Sequence, residues 1–177
     1  MGRNTVAVEA LARLDVTEKV SALSDPACPV DVIRAGAGDA LWTVRRTAVG
    51  NPSAAVDVIA AGAGDEDPWV REAAVGNPSA PEDVIRAGVR DEDWWVRGAA
   101  GGNPSAPEDV IAVGARDMST YARWAVASNP RISEEAAERL SRSKKEEIQR
   151  ALAENPAVPE RIRVVAAMRA GTLFGAT

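Results

Sequence analysis

The sequence predicts an all-α protein, an α-solenoid of six two-helix repeats, each 26 residues long. Three observations carry this. A dipeptide recurs without insertion or deletion, as Asp25-Pro26, Asn51-Pro52, Asn77-Pro78, Asn103-Pro104, Asn129-Pro130 and Asn155-Pro156. Apolar residues between these anchors fall at helical spacing, and no stretch reads convincingly as a strand. Residues 67–92 and 93–118 agree at 19 of 26 positions, as copies of one structural unit should.

In chain order, residues 1–14 read as an N-terminal flanking helix or cap, 15–170 as the six repeats and 171–177 as a C-terminal tail. The rung around 65–91 shows the pattern best. Asp67-Pro68 is a helix start, with Asp as N-cap and Pro at the first helical position. Val70, Ala73 and Ala74 then form one apolar stripe. Gly76-Asn77-Pro78 ends the helix: Gly tolerates a left-handed C-terminus, and a residue before Pro is pushed out of the helical region. Ser79 and Glu82 have capping-box spacing, as do Ser105 and Glu108, and open a second helix carrying Val84, Ile85 and Gly88. The two helices are about 8 and 10 residues long, too short to stand alone in water, so each must stack on its neighbours. The first, fifth and sixth rungs diverge most, as terminal repeats do.

The chain has 177 residues, 46% of them apolar and only 4% aromatic. Its apolar share is mostly Ala and Val, so helices must approach closely to bury area. The net charge of −5 argues against a general phosphate-backbone binder. The start carries no secretory pattern, no stretch reaches the length of a membrane span, and the single Cys cannot form an internal disulfide. The expectation is a reduced, cytoplasmic protein.

The phrase W-V-R-x-A-A-x-x-N-P-S-x-P-E-x-V-I, as in Trp69–Ile85 and Trp95–Ile111, resembles the leucine-rich-repeat-variant family, bacterial α-solenoids similar in style to HEAT repeats. The likeness covers residues 15–170. It implies a right-handed superhelix in which one element of each repeat is in some cases a 3₁₀-helix. Two departures matter. A Leu usual in the second helix is replaced by Gly36, Gly62, Gly88 and Gly114, with only Leu140 keeping it; these Gly read as sites of close helix contact. Some members carry an N-terminal iron–sulfur cluster, which usually needs four thiolates. With Cys28 alone, no cofactor is expected.

The columns that recur at 26 residues are the candidates for chemistry. Arg45, Arg71, Arg97 and Arg123, with Lys19 before and Gln149 after, admit two readings. One is a basic ladder for phosphate or carboxylate. The other, favoured because a column in every rung is part of the rung, is internal pairing with Asp39, Asp65, Asp91 and Asp117, six residues earlier. Asn51, Asn77, Asn103, Asn129 and Asn155 read as turn chemistry. Asp65-Glu66-Asp67 and Asp91-Glu92-Asp93 lack the calcium-loop pattern and read as capped, solvated turns, so no metal is expected. There is no His, hence no His-based nucleophile or metal site, and no catalytic residue is assigned. Cys28 stands where Ala54, Ala80 and Ala106 stand, and reads as a packed thiol.

Trp69, Trp95 and Tyr121 share one column, Trp42 and Trp94 lie one residue earlier, and Trp124 three later. Exposed, they would form a strip for protein recognition. Packed, they would fill space over small residues of an adjacent helix. Trp94 is the best candidate for exposure, since Pro68 and Thr120 share its column. Arg139, Arg142, Lys144, Lys145, Arg150, Arg161, Arg163 and Arg169 make the last third basic; interleaved Glu residues predict many i,i+4 pairs. Val164–Met168 with Leu173-Phe174 read as an end cap or docking surface.

The function expected is therefore a non-catalytic scaffold for protein–protein interaction, with Trp69, Trp94, Trp95 and Tyr121 as contact residues. The alternatives are a nucleic-acid-binding or repair protein, as some HEAT-like solenoids are, and an accessory factor for a partner enzyme.

Overall fold

The computed structural model describes residues 3–171, with side chains from residue 7 onward, and Leu173-Phe174 lie outside it. Every described element is an α-helix, thirteen in all, with no strand among the described residues. The 3₁₀ element that the resemblance admits is not among them. No described helix is long and apolar enough to cross a membrane. The chain falls into two compact halves, Met1–Val84 and Ile85–Thr177.

The first half holds α1 (Arg3–Arg13), α2 (Val16–Ser24), α3 (Val30–Ala37), α4 (Trp42–Gly50), α5 (Val56–Gly62) and α6 (Pro68–Gly76). Helix α4 packs between α2 and α6, and α3 packs on α1 and α5, giving two layers. The boundary falls within α7 (Glu82–Gly88). The second half continues with α8 (Trp94–Gly102), α9 (Glu108–Gly114), α10 (Thr120–Ala127), α11 (Glu134–Ser141), α12 (Glu146–Glu154) and α13 (Glu160–Arg169). There α10 packs between α8 and α12, and α11 between α9 and α13.

The core is built from columns 26 residues apart. Val44 and Val70 are fully buried in the first half, and Val96, Ala122 and Ile148 in the second. Ile33 and Ile59 line the facing layer of the first half, and Ile111 that of the second. These side chains are small, so backbones must come close. A Cβ at Gly36 would lie 2.6 Å from Leu23 Cδ1, at Gly62 2.6 Å from Val49 Cγ1, and at Gly114 2.7 Å from Val126 Cγ2. Gly36, Gly62 and Gly114 are thus close-approach sites, while Leu140 stands in the same column with a side chain 2% exposed.

Helix starts in the first layer follow the sequence. Asp67 accepts from Trp69 N–H with Pro68 just inside, Asp93 accepts from Trp95 N–H, and Asp15 forms a full capping box with Glu18. The second layer differs. Helix α9 is capped by Pro107 without a side-chain bond, and α7 begins only at Glu82, so the Ser79/Glu82 and Ser105/Glu108 capping boxes do not form as expected. Pro81 and Pro107 hold the residue before them out of the helical region. The Asn-Pro turn then occupies that stretch: Ser105 N–H donates to Asn103 Oδ1 at 2.7 Å and Ala106 N–H to Asn103 O at 2.9 Å. The second helix is accordingly seven residues in α5, α7 and α9, not about ten. Nor does Gly76 adopt a left-handed cap. Among the described residues only Gly171 has positive φ, and the helix ends on Asn77 at φ −62°, ψ 129°.

The buried Asn do more than shape turns. Asn51 Nδ2 donates to Leu23 O and Asp25 O, 28 and 26 residues back, at 2.6 and 2.9 Å. Asn77 repeats this with Val49 O and Asn51 O. In the second half Asn129 reaches Gly101 O and Asn103 O, and Asn155 reaches Ala127 O and Asn129 O. Meanwhile each Oδ1 accepts from its own turn, as from Ser53 N–H and Arg131 N–H. One side chain ties its turn to the turn before it. Replacing it strands two buried acceptors at about 1–3 kcal/mol each. Asn129→Ala should therefore lower unfolding free energy by about 2–4 kcal/mol in urea melts, and Asn129→Asp by at least as much, since a carboxylate cannot donate and its charge would be buried. A purely local turn role would leave Asp tolerated.

A second expectation concerns Gly62. Ala there gains about 1 kcal/mol of helix propensity but must displace Val49, and overpacking costs about 1–3 kcal/mol. Gly62→Ala should destabilise, and become neutral or stabilising in a Val49→Ala background, as a double-mutant cycle of melts would read.

Candidate binding surface

The Arg column is a structural ladder, in a register other than the expected one. Arg45 Nε and Nη2 donate to the Asp65 carboxylate, twenty residues on, at 2.7 and 2.9 Å. Its Nη1 donates to the backbone carbonyls of Asp39 and Ala40 at 3.1 and 3.0 Å. The Asp six residues earlier thus supplies its carbonyl, not its carboxylate. Arg97 does the same, with Asp117 at 2.7 and 3.2 Å and with the carbonyls of Asp91 and Glu92. Lys19 reaches Asp39 at 2.7 Å. Arg71 takes the carbonyls of Asp65 and Glu66, and Arg123 those of Asp117 and Met118.

Each Asp also caps its turn. Asp39 accepts from Leu41 N–H, Asp65 from Asp67 N–H, and Asp117 from Ser119 N–H. The hydrogen bond from Arg45 holds the Asp65 carboxyl below the ordinary range and the Lys19 bond does so for Asp39, against burial in both cases. Burial pushes Asp117 upward, but the Arg97 and Ser119 bonds outweigh it and keep it low. Asp65 and Asp67 are thereby accounted for as pairing and capping groups.

The aromatics come together in the second half. Trp94 and Trp95 occupy the first turn of α8, set by the Asp93 cap; Tyr121 and Trp124 stand one turn apart on α10, set by Ser119. Trp94 and Trp95 stack with centroids 4.0 Å apart, and Tyr121 meets Trp94 at 5.4 Å and Trp95 at 4.7 Å, edge-on to both. Trp124 closes the group, 5.6 Å from Tyr121. Gly98 is its floor: a Cβ there would lie 2.3 Å from Tyr121 Cε1. Trp94 is 40% exposed and Trp124 39%, while Trp95 and Tyr121 are half-buried. These rings are neither core nor free surface. They cover small residues with one side and meet solvent with the other, so both readings of the column hold in part.

Beside Trp124 runs an open groove of about 460 Å³ between α10 and α12, bounded by Pro130, Glu147, Arg150 and Pro156. Trp69 lies in the first half, 38% exposed, with the Arg46 guanidinium 5.6 Å over its ring. Arg46 also pairs with Glu72 at 3.3 Å.

No family model matches this chain, and neither does any curated protein.

Trp124 was not singled out as a contact residue, although its i+3 spacing from Tyr121 on one helix was a readable sign. Gly98, where the column has Arg46 and Glu72, was another. The basic end departs from its expectation: among the described residues the i,i+4 ion pair seen there is Arg150–Glu146, while Arg161 reaches Glu134 and Glu138 of the preceding rung. Val164, Val165 and Met168 are exposed on α13. Cys28 is buried as expected; burial, then the Asp25 charge, pushes its thiol up.

The lowered carboxyls make stability depend on pH. A folded-state value below the unfolded one stabilises above the ordinary carboxylate range of about 4, and this is lost as pH falls through the folded value. Melting temperature should thus drop steeply below about pH 4. Asp65→Asn should cost about 1–2 kcal/mol at pH 7 and flatten that drop, as thermal melts from pH 7 to 3 would show.

Proposed function

We propose that the chain is a non-catalytic repeat scaffold that holds a protein partner on the aromatic face formed by Trp94, Trp95, Tyr121 and Trp124. The observation that carries this is the ring cluster itself. Trp and Tyr offer large, rigid, amphipathic contact area at low entropic cost and dominate interface hot spots. Four such rings in mutual contact, two of them about two-fifths exposed, form an anchor patch in a chain with few aromatics. Short helices clamped at both ends keep it preorganised, so little ordering remains to be done on binding.

In the same proposal the six 26-residue rungs stack as one right-handed α-solenoid of the leucine-rich-repeat-variant kind, working in the cytoplasm. The unbroken period and the identical clamps within each half support it. Trp69 would be a separate contact residue in the first half. The nucleic-acid reading is weaker, because Arg45 and Arg97 are spent on aspartate and carbonyl partners and the net charge is −5.

The test is affinity capture from the source cells with the wild-type chain, the Trp94→Ala/Trp124→Ala variant and a Met118→Ala control. Because these rings are about three-fifths buried, each Trp→Ala change should cost about 2–3 kcal/mol, and circular dichroism of the double variant checks that it is folded before capture. A specific protein held by wild type and control, and lost by the double variant, is the expected result. Retention by the double variant, or a gel shift of labelled duplex DNA at low salt, would count against the reading.

A further inference from the structure

The Arg–Asp ladder loses its carboxylate after Arg123. Twenty residues after Lys19, Arg45 and Arg97 stand Asp39, Asp65 and Asp117, each bonded to the earlier cation. Twenty residues after Arg123 stands Ser143. The serine keeps one half of the aspartate's role: its Oγ accepts from Lys145 N–H at 3.2 Å, as Asp39 accepts from Leu41 N–H. Its backbone is held as in other rungs, with Ser143 O accepting from Gln149 Nε2 at 2.6 Å. The carboxylate half is gone.

Arg123 shows the consequence. Its Nη1 takes the two carbonyls, as in Arg45, Arg71 and Arg97. The Nε–Nη2 edge, which in Arg45 and Arg97 grips a carboxylate with two bonds, has only a contact from Nη2 to Thr120 Oγ1 at 3.2 Å. That guanidinium is half-buried and has no ion pair among the described residues.

The space opposite is a pocket of about 360 Å³ lined by Arg116, Arg123, Arg139, Arg142 and Ser143, with Leu140 on its wall. Arg139 and Arg142 have no ion pair among the described residues either, and Arg116 pairs with the exposed Glu135 at 3.3 Å and donates to Ala112 O at 3.2 Å. The single acidic lining group, Asp117, is already neutralised by Arg97. Four guanidinium groups and a serine hydroxyl thus surround a place where the rungs of Arg45 and Arg97 hold a carboxylate. Planar guanidinium edges match carboxylates bidentately.

We propose that this pocket binds a carboxylate of an acidic peptide segment, which completes the ladder at Arg123 in trans. The site lies outside the aromatic cluster and does not depend on its role. The carboxylate is favoured over a tetrahedral anion because the missing group is a planar one, gripped by the same two nitrogens in Arg45 and Arg97.

The test follows the Arg Nε–H signals of the full chain by NMR during titration with acetyl-Asp-Glu-Asp-Glu-amide, its Asn/Gln counterpart and inorganic phosphate. The acidic peptide should move Arg123 Nε saturably while Arg97 Nε, already on Asp117, stays in place; the neutral peptide should do nothing. Ser143→Asp supplies the carboxylate in cis, so it should raise the melting temperature and weaken the peptide at least tenfold. Arg123→Lys, which keeps the charge and loses the fork, should also weaken it at least tenfold. Affinity within twofold of wild type in Ser143→Asp, or shifts confined to exposed arginines, would overturn the site. Tighter binding of phosphate than of peptide would overturn its assignment to a carboxylate. Trp94→Ala should leave the titration unchanged, which separates this site from the aromatic one.

Discussion

The bond from an asparagine amide to two carbonyls one rung back is the constraint on which the remainder depends. The helices are seven to eleven residues long, below the length at which a helix is stable in water. Something must hold each in place where its own backbone bonds run out. Asn51, Asn77, Asn129 and Asn155 do so at the C-terminal end of the first-layer helices, satisfying carbonyls that helix ends leave orphaned. Because the reach is fixed at 26 and 28 residues, an inserted residue would pull donor and acceptor out of register. The absence of any insertion along the repeats has a local cause.

The Arg–Asp ladder works at the other end of the same helices, tying the start of one to the loop before the next. Between the two ties the core is thin. Val, Ala and Gly bring backbones together, as where Gly62 meets Val49 and Gly114 meets Val126. Small residues at a close-packed surface leave little apolar area to bury per helix, roughly 25 cal/mol for each Å². The aromatic rings of the second half belong to this economy: Tyr121 packs against Gly98 and is walled by Trp94, Trp95 and Trp124. A patch that finishes covering a thin core also presents rigid rings outward.

Much of this was legible. The period, the Asp-capped starts at Asp67 and Asp93 and the small-residue contacts at Gly36, Gly62 and Gly114 all read directly from residue types. What was missed has a common reason. In a chain with a period of 26, a partner six residues earlier and one twenty residues later lie in the same column, so spacing alone could not say which carboxylate Arg45 holds. The asparagine was hidden similarly, since one side chain serves its turn and the previous rung at once. One sign did mark the difference. The first rung has Asp25, whose carboxylate accepts from Ala27 N–H and shapes the turn as well as any Asn. No helix of that layer precedes α2 among the described residues, so no donor is needed there. Asn stands at positions 51, 77, 129 and 155, where two carbonyls wait. The capping-box error differs in kind: Ser105 and Glu108 have the right spacing, but Pro107 forbids the geometry.

A repeat protein can acquire a specific role only where a column stops being needed for folding. The ladder column illustrates how narrow that freedom is. Lys19, Arg45 and Arg97 are each matched by an aspartate, and changing either partner would leave a charge or carbonyl poorly satisfied. Near the end the column loosens stepwise. Arg123 faces Ser143, and Gln149 then replaces the cation, with Nε2 on Ser141 O and Ser143 O and its buried Oε1 without a partner. Arg169, twenty residues after Gln149, now carries the charge in the aspartate's place and turns to Ser141 O. The carbonyl clamp survives both changes, because an amide can supply it. The carboxylate is given up first, at Ser143, and the cation next, at Gln149. The scaffold part of the interaction and its anion-binding part are therefore separable, and the last rungs separate them.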